Sequence, residues 1–567
     1  MYKQVLDPVG DSLGWSTLFA ILPLVTLIVL LGGLKLKAPV AALWALLVSI
    51  LVAIIVYSMP VGQTLDSALE GAAFGLFPIM WIVVNAIWIY VMLDRSGYFA
   101  VIKRSFGRVS EDERVQAVLI AFCFGALLEA LAGFGTPVAI CAAMLMGMGF
   151  KPAKAAAVSL VANTAPVAFG AIAVPITTLA SVTNLPKDDV GAMVGRQTPL
   201  LALVVPLILI GMVDGKRGIK ATWPVAAFGG LAFALGQWLC SNYLSVELAD
   251  IVASLVSAGA IVALLQVWQP GETLIAGSEG GPRPAMAGGE TGVDQRRFEK
   301  EAARRAGTGP DGQVQHDNAG QVLIAFSPYL IIIAVFAIAQ IHWLPFFDFL
   351  DARTKAFAWP GLDIVNAKGV EPTSVTYKFT WASSAGTLLL VSGLLSMITL
   401  RFGPRRAIAA YVATLNQLKW AILTVAAVLA LAYVMNLSGQ TITIGTWLAG
   451  AGAAFALLSP ILGWLGVAVT GSDTSSNALF GALQVSAAEK ANLSPMLMAA
   501  ANSSGGVLGK MISPQNLAIG AAAVGMAGQE GDLFRRVVKW SLILLAVMIV
   551  LVYLQSTSVL SWMVVGS

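Results

Sequence analysis

Charge, histidine and cysteine are all scarce in this sequence. Charged residues make up 11% of the 567, against roughly a quarter in a soluble domain, which excludes an ordinary water-soluble globule. The two histidines are His316, in a polar stretch, and His342, at the end of an apolar run, so chemistry at membrane depth has to proceed without imidazole. The three cysteines, Cys123, Cys141 and Cys240, form no CxxC pair and suggest neither a metal centre nor a disulfide framework. No HExxH motif is present, and the run from Ser504 to Met511 is no P-loop, because Ser504 stands where the first glycine belongs and Met511 where a hydroxyl is needed. No enzymatic activity, cofactor or metal is expected. The net charge of +4 is small, and the basic residues lie between apolar runs, where they report orientation rather than nucleic-acid binding.

What the sequence has in abundance is apolar length. Hydrophobic residues make up 58%, and the mean hydropathy is +0.82. Runs of spanning length occur near 15–34, 38–57, 70–93, 198–213, 222–244, 248–268, 321–341, 383–400, 417–436 and 538–563. Residues 1–14 lack the basic start and small-residue cleavage site of a signal peptide, so 15–34 is expected to remain as the first span. Two regions, 115–150 and 457–490, read as re-entrant helical hairpins. Each is followed by an apolar segment expected to break in its middle, at Asn163–Pro166 within 153–185 and at Asn502–Gly506 within 494–520. The expected fold is an all-α polytopic membrane protein with about twelve spans plus two hairpins.

The hairpins and broken helices form two copies. Gly133 and Gly471, like Thr136 and Thr474, are 338 residues apart, while Asn163 and Asn502, Gly170 and Gly509, Pro175 and Pro514, and Arg196 and Arg535 are each 339 apart. With re-entrant hairpins the first copy has an odd number of crossings, so the second is inverted. The domains expected are a first repeat over 15–215, connecting spans over 216–268, a flexible cytoplasmic linker over 269–320 and a second repeat over 321–567. Lys35, Arg104, Lys154, Arg217, Arg305, Arg406 and Arg535 fall on one face with most other basic residues, whereas Lys187, Arg196, Arg353, Lys378 and Lys490 fall on the other. That bias makes the first face cytoplasmic and places both termini outside.

Interrupted segments at matching places in two halves are the sequence signature of a transporter binding site. Irregular backbone survives at membrane depth when it is buried in protein or lines a watered cavity, and the free helix N-termini it creates suit a carboxylate. The residues expected to contact substrate are Gly133, Phe134, Gly135, Thr136, Asn163, Thr164, Ser472, Thr474, Ser475, Asn502, Ser503 and Lys510. The alternative is that the small residues merely let helices pack closely. Three ionisable residues lie inside these elements: Glu129, Asp473 and Lys510. None has an ionisable counterpart in the other half, since the matching positions are Val467, Gly135 and Ala171. A charge at the bilayer centre costs about 2.5–3.5 kcal/mol on insertion scales, so each should face protein or water. Asp473 or Glu129 can carry a proton, Asp473 can instead cap its hairpin tip, and Glu129 can instead anchor its hairpin. Lys510 can meet a substrate carboxylate or pair structurally with Asp473.

At these residues the sequence closely resembles the L-lactate permease family of bacterial plasma membranes, which includes glycolate permeases. The stretches that carry the resemblance are Phe122–Ala126, Ala132–Gly135, Asn163–Gly170, Gly195–Gln197, Thr470–Phe480 and Gly509–Gln515, and it extends over nearly the whole chain from about residue 5. It implies uptake of L-lactate, D-lactate and glycolate, small 2-hydroxymonocarboxylates, together with protons, by a hairpin-bearing core moving against a scaffold of inverted repeats. The scaffold spans would face lipid and are a candidate homodimer surface. Two departures stand out: Thr136 where Ala is expected, and Ala130-Leu131 where Gly-Ala is expected. Sodium coupling, a channel, and a membrane sensor remain as alternatives.

Overall fold

In the computed structural model the described residues are 1–567 except 35, 108, 111, 134, 273, 275–316, 341–348, 351, 367–368, 373–374, 527–528 and 567. Most of the expected linker, both histidines and Phe134 therefore lie outside the described residues. The chain is an all-α polytopic membrane protein. Among the described residues, ten helices are long and apolar enough to cross a membrane, and the bent pair Pro152–Ala162 and Val167–Thr183 makes up to eleven.

The expected spans 198–213 and 222–244 both lie in the stretch Thr198–Tyr243, where two helices meet at a kink with non-helical backbone at Asp214, Gly215 and Thr222, so that stretch enters the count once although it holds two expected spans. The segment near 383–400 forms a helix of only 15 residues, Ala385–Thr399. The second broken element gives Pro495–Gly509, also 15 residues, followed by Pro514–Ala523.

Short strands complete the fold. Tyr2–Lys3 pairs in parallel with Ile364–Val365, and Lys355–Ala358 pairs with Thr376–Phe379. The Met1 amino group meets Asp363 at 2.8 Å, Lys187 meets Glu247, and Arg196 donates to the Met563 carbonyl. Arg104 pairs with Asp317, and Arg217 with Glu272.

Both hairpins form as helix–turn–helix units, Gly125–Ala132 with Thr136–Gly147 and Phe455–Thr470 with Asp473–Lys490. Their turns need left-handed backbone, which Gly135 (φ 83°) and Gly471 (φ 74°) supply at no steric cost. The second hairpin packs on its broken helix through small residues. A Cβ on Gly463, Gly505 or Gly509 would come within 2.3 Å of a backbone oxygen of the facing helix, so close packing accounts for these glycines.

One expectation is corrected. The second broken helix does not break at Asn502–Gly506. Pro495–Gly509 runs unbroken through those residues, and the interruption falls at Lys510–Ser513. The first copy turns after Asn163 because Pro166 has no amide hydrogen to continue the helix. Its counterpart, Gly505, has one. In the second copy Pro514 sets the stop, forcing Ser513 into extended backbone (φ −65°, ψ 139°).

Candidate functional site

The two hairpin tips and two breaks converge on an open cavity of about 830 Å³, a size ordinary for a small-molecule site. Of the residues expected from sequence, Glu129, Gly133, Ser472, Asp473, Thr474, Ser475 and Lys510 line it. Trp420, Thr424 and Val425 of the long helix Pro404–Ser438 form part of the facing wall, and Lys37 stands in the lining with Leu36.

Glu129 and Lys510, 381 residues apart in sequence, meet here. The Lys510 Nζ lies 2.6 Å from Glu129 Oε1, and the two residues are 6% and 3% exposed. Asn163 donates from Nδ2 to the other oxygen, Oε2, at 2.9 Å. Gly133 and Gly170 close over the carboxylate, for a Cβ on either would stand 3.1 or 2.9 Å from Oε1. Lys510 reaches Glu129 because the helix stops directly after Gly509. The ion pair of Lys510 is with Glu129 rather than with Asp473.

Asp473 sits at the start of its hairpin limb, yet the cap is Ser472, whose hydroxyl accepts from the Ser475 amide. The Asp473 carboxylate points inward. Its Oδ2 accepts from Ser503 Oγ at 2.6 Å and from Asn477 Nδ2 at 3.3 Å, while Oδ1 has no partner among the described residues. The network continues: Asn477 donates to the Pro175 carbonyl of the first repeat, Asn502 donates to Asn477 Oδ1, and Gln484 donates to Asn502 Oδ1.

Gly135, Thr136, Asn163, Thr164, Asn502 and Ser503 are not among the residues that line the cavity. Gly135 abuts Ile519. The Thr164 hydroxyl donates to the Val161 carbonyl, and Thr136 opens the second limb of its hairpin. Asn163 and Ser503 are buried and bond Glu129 and Asp473, while Asn502 is buried and bonds Asn477 and Gln484.

Sequence reasoning missed Asn477 and Gln484 as members of the network, and missed Gln237 and Asp250 altogether. Gln237 donates to Asp250 Oδ1 at 3.0 Å, approaches the carbonyl of Ala165 in the first break at 3.4 Å, and accepts from Thr198. Asp250 Oδ2 is buried without a partner among the described residues. The available signal was an acid inside an apolar run, which deserves a functional question by default.

The family model for L-lactate permease matches residues 16–559. The chain is 41% identical over 577 residues to the L-lactate permease of Escherichia coli (strain K12), covering 100% of each. It is 42% identical over 569 residues to the glycolate permease GlcA of the same strain, covering 98% of each. Among solved structures, the YdaH transporter of Alcanivorax borkumensis aligns over 86% of each chain with a TM-score of 0.44 and 14% identity. With a family model matched over nearly its full length and full-length relatives above 40% identity, the chain belongs to the L-lactate permease family.

Proposed function

We propose that the protein imports L-lactate, with D-lactate and glycolate as further substrates, across the bacterial plasma membrane together with protons. The observation that carries the reading is a buried ammonium, Lys510, beside two buried carboxyls, Glu129 and Asp473, in one cavity between two interrupted elements. The relatives named L-lactate permease and glycolate permease support the substrate class.

These acids are almost wholly ionised at neutral pH. Moving one negative charge inward against the membrane potential costs about 2.3 kcal/mol per 100 mV. A proton travelling with the anion removes that cost and links uptake to the pH gradient. Thr474 and Ser475 line the cavity, with hydroxyls suited to the substrate's carboxylate or 2-hydroxyl group. The hairpins and broken helices, 115–185 and 457–520, form the moving core, and the facing helix Pro404–Ser438 belongs to the scaffold. Because Lys37 is on the cytoplasmic side in this reading, the cavity described is the inward-open one.

Sodium is the second reading, since the unpartnered Asp473 Oδ1 and the hydroxyls of Thr474 and Ser475 are oxygen donors of the kind a hard cation takes. The test is uptake of labelled L-lactate into proteoliposomes under an inward proton gradient without sodium. Accumulation that a protonophore abolishes and glycolate competes supports proton symport. Accumulation only with sodium discards it.

A further inference from the structure

Resting on the proton-symport reading, we propose that Glu129 is the resident counter-ion of Lys510, and that substrate binds by taking its place. A proton goes to Glu129 Oε1, the Glu129–Lys510 ion pair opens, and the carboxylate of the incoming acid becomes the partner of Lys510.

In the structure Glu129 and Lys510 are 2.6 Å apart and nearly fully buried, and as an ion pair their charges cancel. Adding an anion would set two carboxylates against one ammonium. An uncompensated buried charge costs several kcal/mol, so the anion seats only when a proton arrives with it. A proton arriving alone would leave Lys510 unpaired, at a similar cost. The two low-energy states are therefore the empty ion pair and the site holding substrate plus proton. Both are neutral, and the two leak states are charged. One anion and one proton per cycle follows without any further device.

The surroundings of Glu129 fit this role. Asn163 holds Oε2 from behind, so the side chain stays in place when Oε1 is protonated, and Oε1 then becomes a hydrogen-bond donor toward the cavity. The other titratable groups on neighbouring elements are Asp250 and Asp473, each with one carboxylate oxygen unpartnered among the described residues, and Cys123, Cys141 and Tyr90. Asp250, on helix Ala249–Val267, is held by Gln237. Asp473, across the cavity, is held by Ser503 and Asn477. Cys123 contacts Ser257, Cys141 donates to the Ile120 carbonyl, and Tyr90 packs edge-on against Phe99. Lys510 is the cation in contact with Glu129.

The test separates exchange from net uptake. Glu129→Gln keeps the shape and stays neutral at every pH. It should still exchange labelled for unlabelled lactate, with no dependence on pH, because Lys510 is always open to substrate. It should lose proton-driven accumulation, because the empty site now carries a charge. The double variant Glu129→Gln/Lys510→Met is neutral without an ammonium and should lose exchange as well. Proton-driven accumulation by Glu129→Gln, or exchange by the double variant, overturns the proposal. A wild-type protein that fails to accumulate lactate under a proton gradient sinks instead the transport reading on which it rests. Should the variants not fold, calorimetry of wild-type lactate binding in buffers of different ionisation heat decides: one proton taken up per lactate is expected, and none overturns the idea.

Discussion

The two broken helices of this protein share their spacing but not their break. In the first, Pro152–Ala162 ends at Asn163, and the chain passes through a short 3₁₀ turn and three successive left-handed residues, Ala171, Ile172 and Ala173, before resuming. In the second, the helix runs to Gly509, and the residues matching 171–173, namely Lys510, Met511 and Ile512, form a right-handed 3₁₀ turn. Left-handed backbone costs about 1–2 kcal/mol per non-glycine residue, so the first copy holds strain the second lacks. The two segments match in spacing and differ in the ionisable residues they carry. Each repeat provides what the other lacks: a carboxylate at position 129, and at position 510 an ammonium aimed at it. Moving the second break past Asn502 also leaves Asn502 and Ser503 inside a continuous helix, where they serve the Asp473 network.

That comparison can be broken in graded steps. Lys510→Met should have the largest effect. It leaves Glu129 buried without its cation, a loss of about 3–5 kcal/mol, and removes the substrate's partner, so thermal unfolding should shift down and lactate uptake vanish. Gly505→Pro would force the second copy to break where the first does. It should cost about 3 kcal/mol or more, worsened by the tight fit against the Pro460 backbone, and is read out as loss of monodisperse protein. Asp473→Asn should be milder. It weakens one charge-assisted hydrogen bond from Ser503, for a loss of about 1–3 kcal/mol; uptake should slow while its dependence on the proton gradient persists, because the proton sits on Glu129. Ala171→Gly should be the smallest, raising stability by up to about 1 kcal/mol through relief of the left-handed strain, visible as a small rise in unfolding temperature.

Much of this was legible in the sequence. Scarce charge and long apolar runs settled the class, and the constant offset of glycines, asparagines and prolines located both tips and the first break. Gly135 and Gly471 turn as expected because few other residues adopt that backbone cheaply. The second break was misplaced because Gly505 and Gly506 read as breakers, whereas they are the close-packing surface of a helix that only Pro514 ends. The pairing of Glu129 with Lys510 was invisible for a different reason: neither residue has a charged counterpart in the other repeat, so the symmetry that revealed the site could not reveal the contact. Asp250 and Gln237 lie outside the paired motifs, so the offset gave no pointer to them, and the one signal was an acid inside an apolar run.

The most direct test of the account is electrical. Wild-type proteoliposomes are given an inside-negative potential without a pH gradient, then a pH gradient without a potential, and labelled lactate is followed in each. The neutral-exchange account predicts accumulation from the pH gradient and none from the potential. Accumulation driven by the potential alone would show that the loaded or empty site crosses with net charge, and would contradict it.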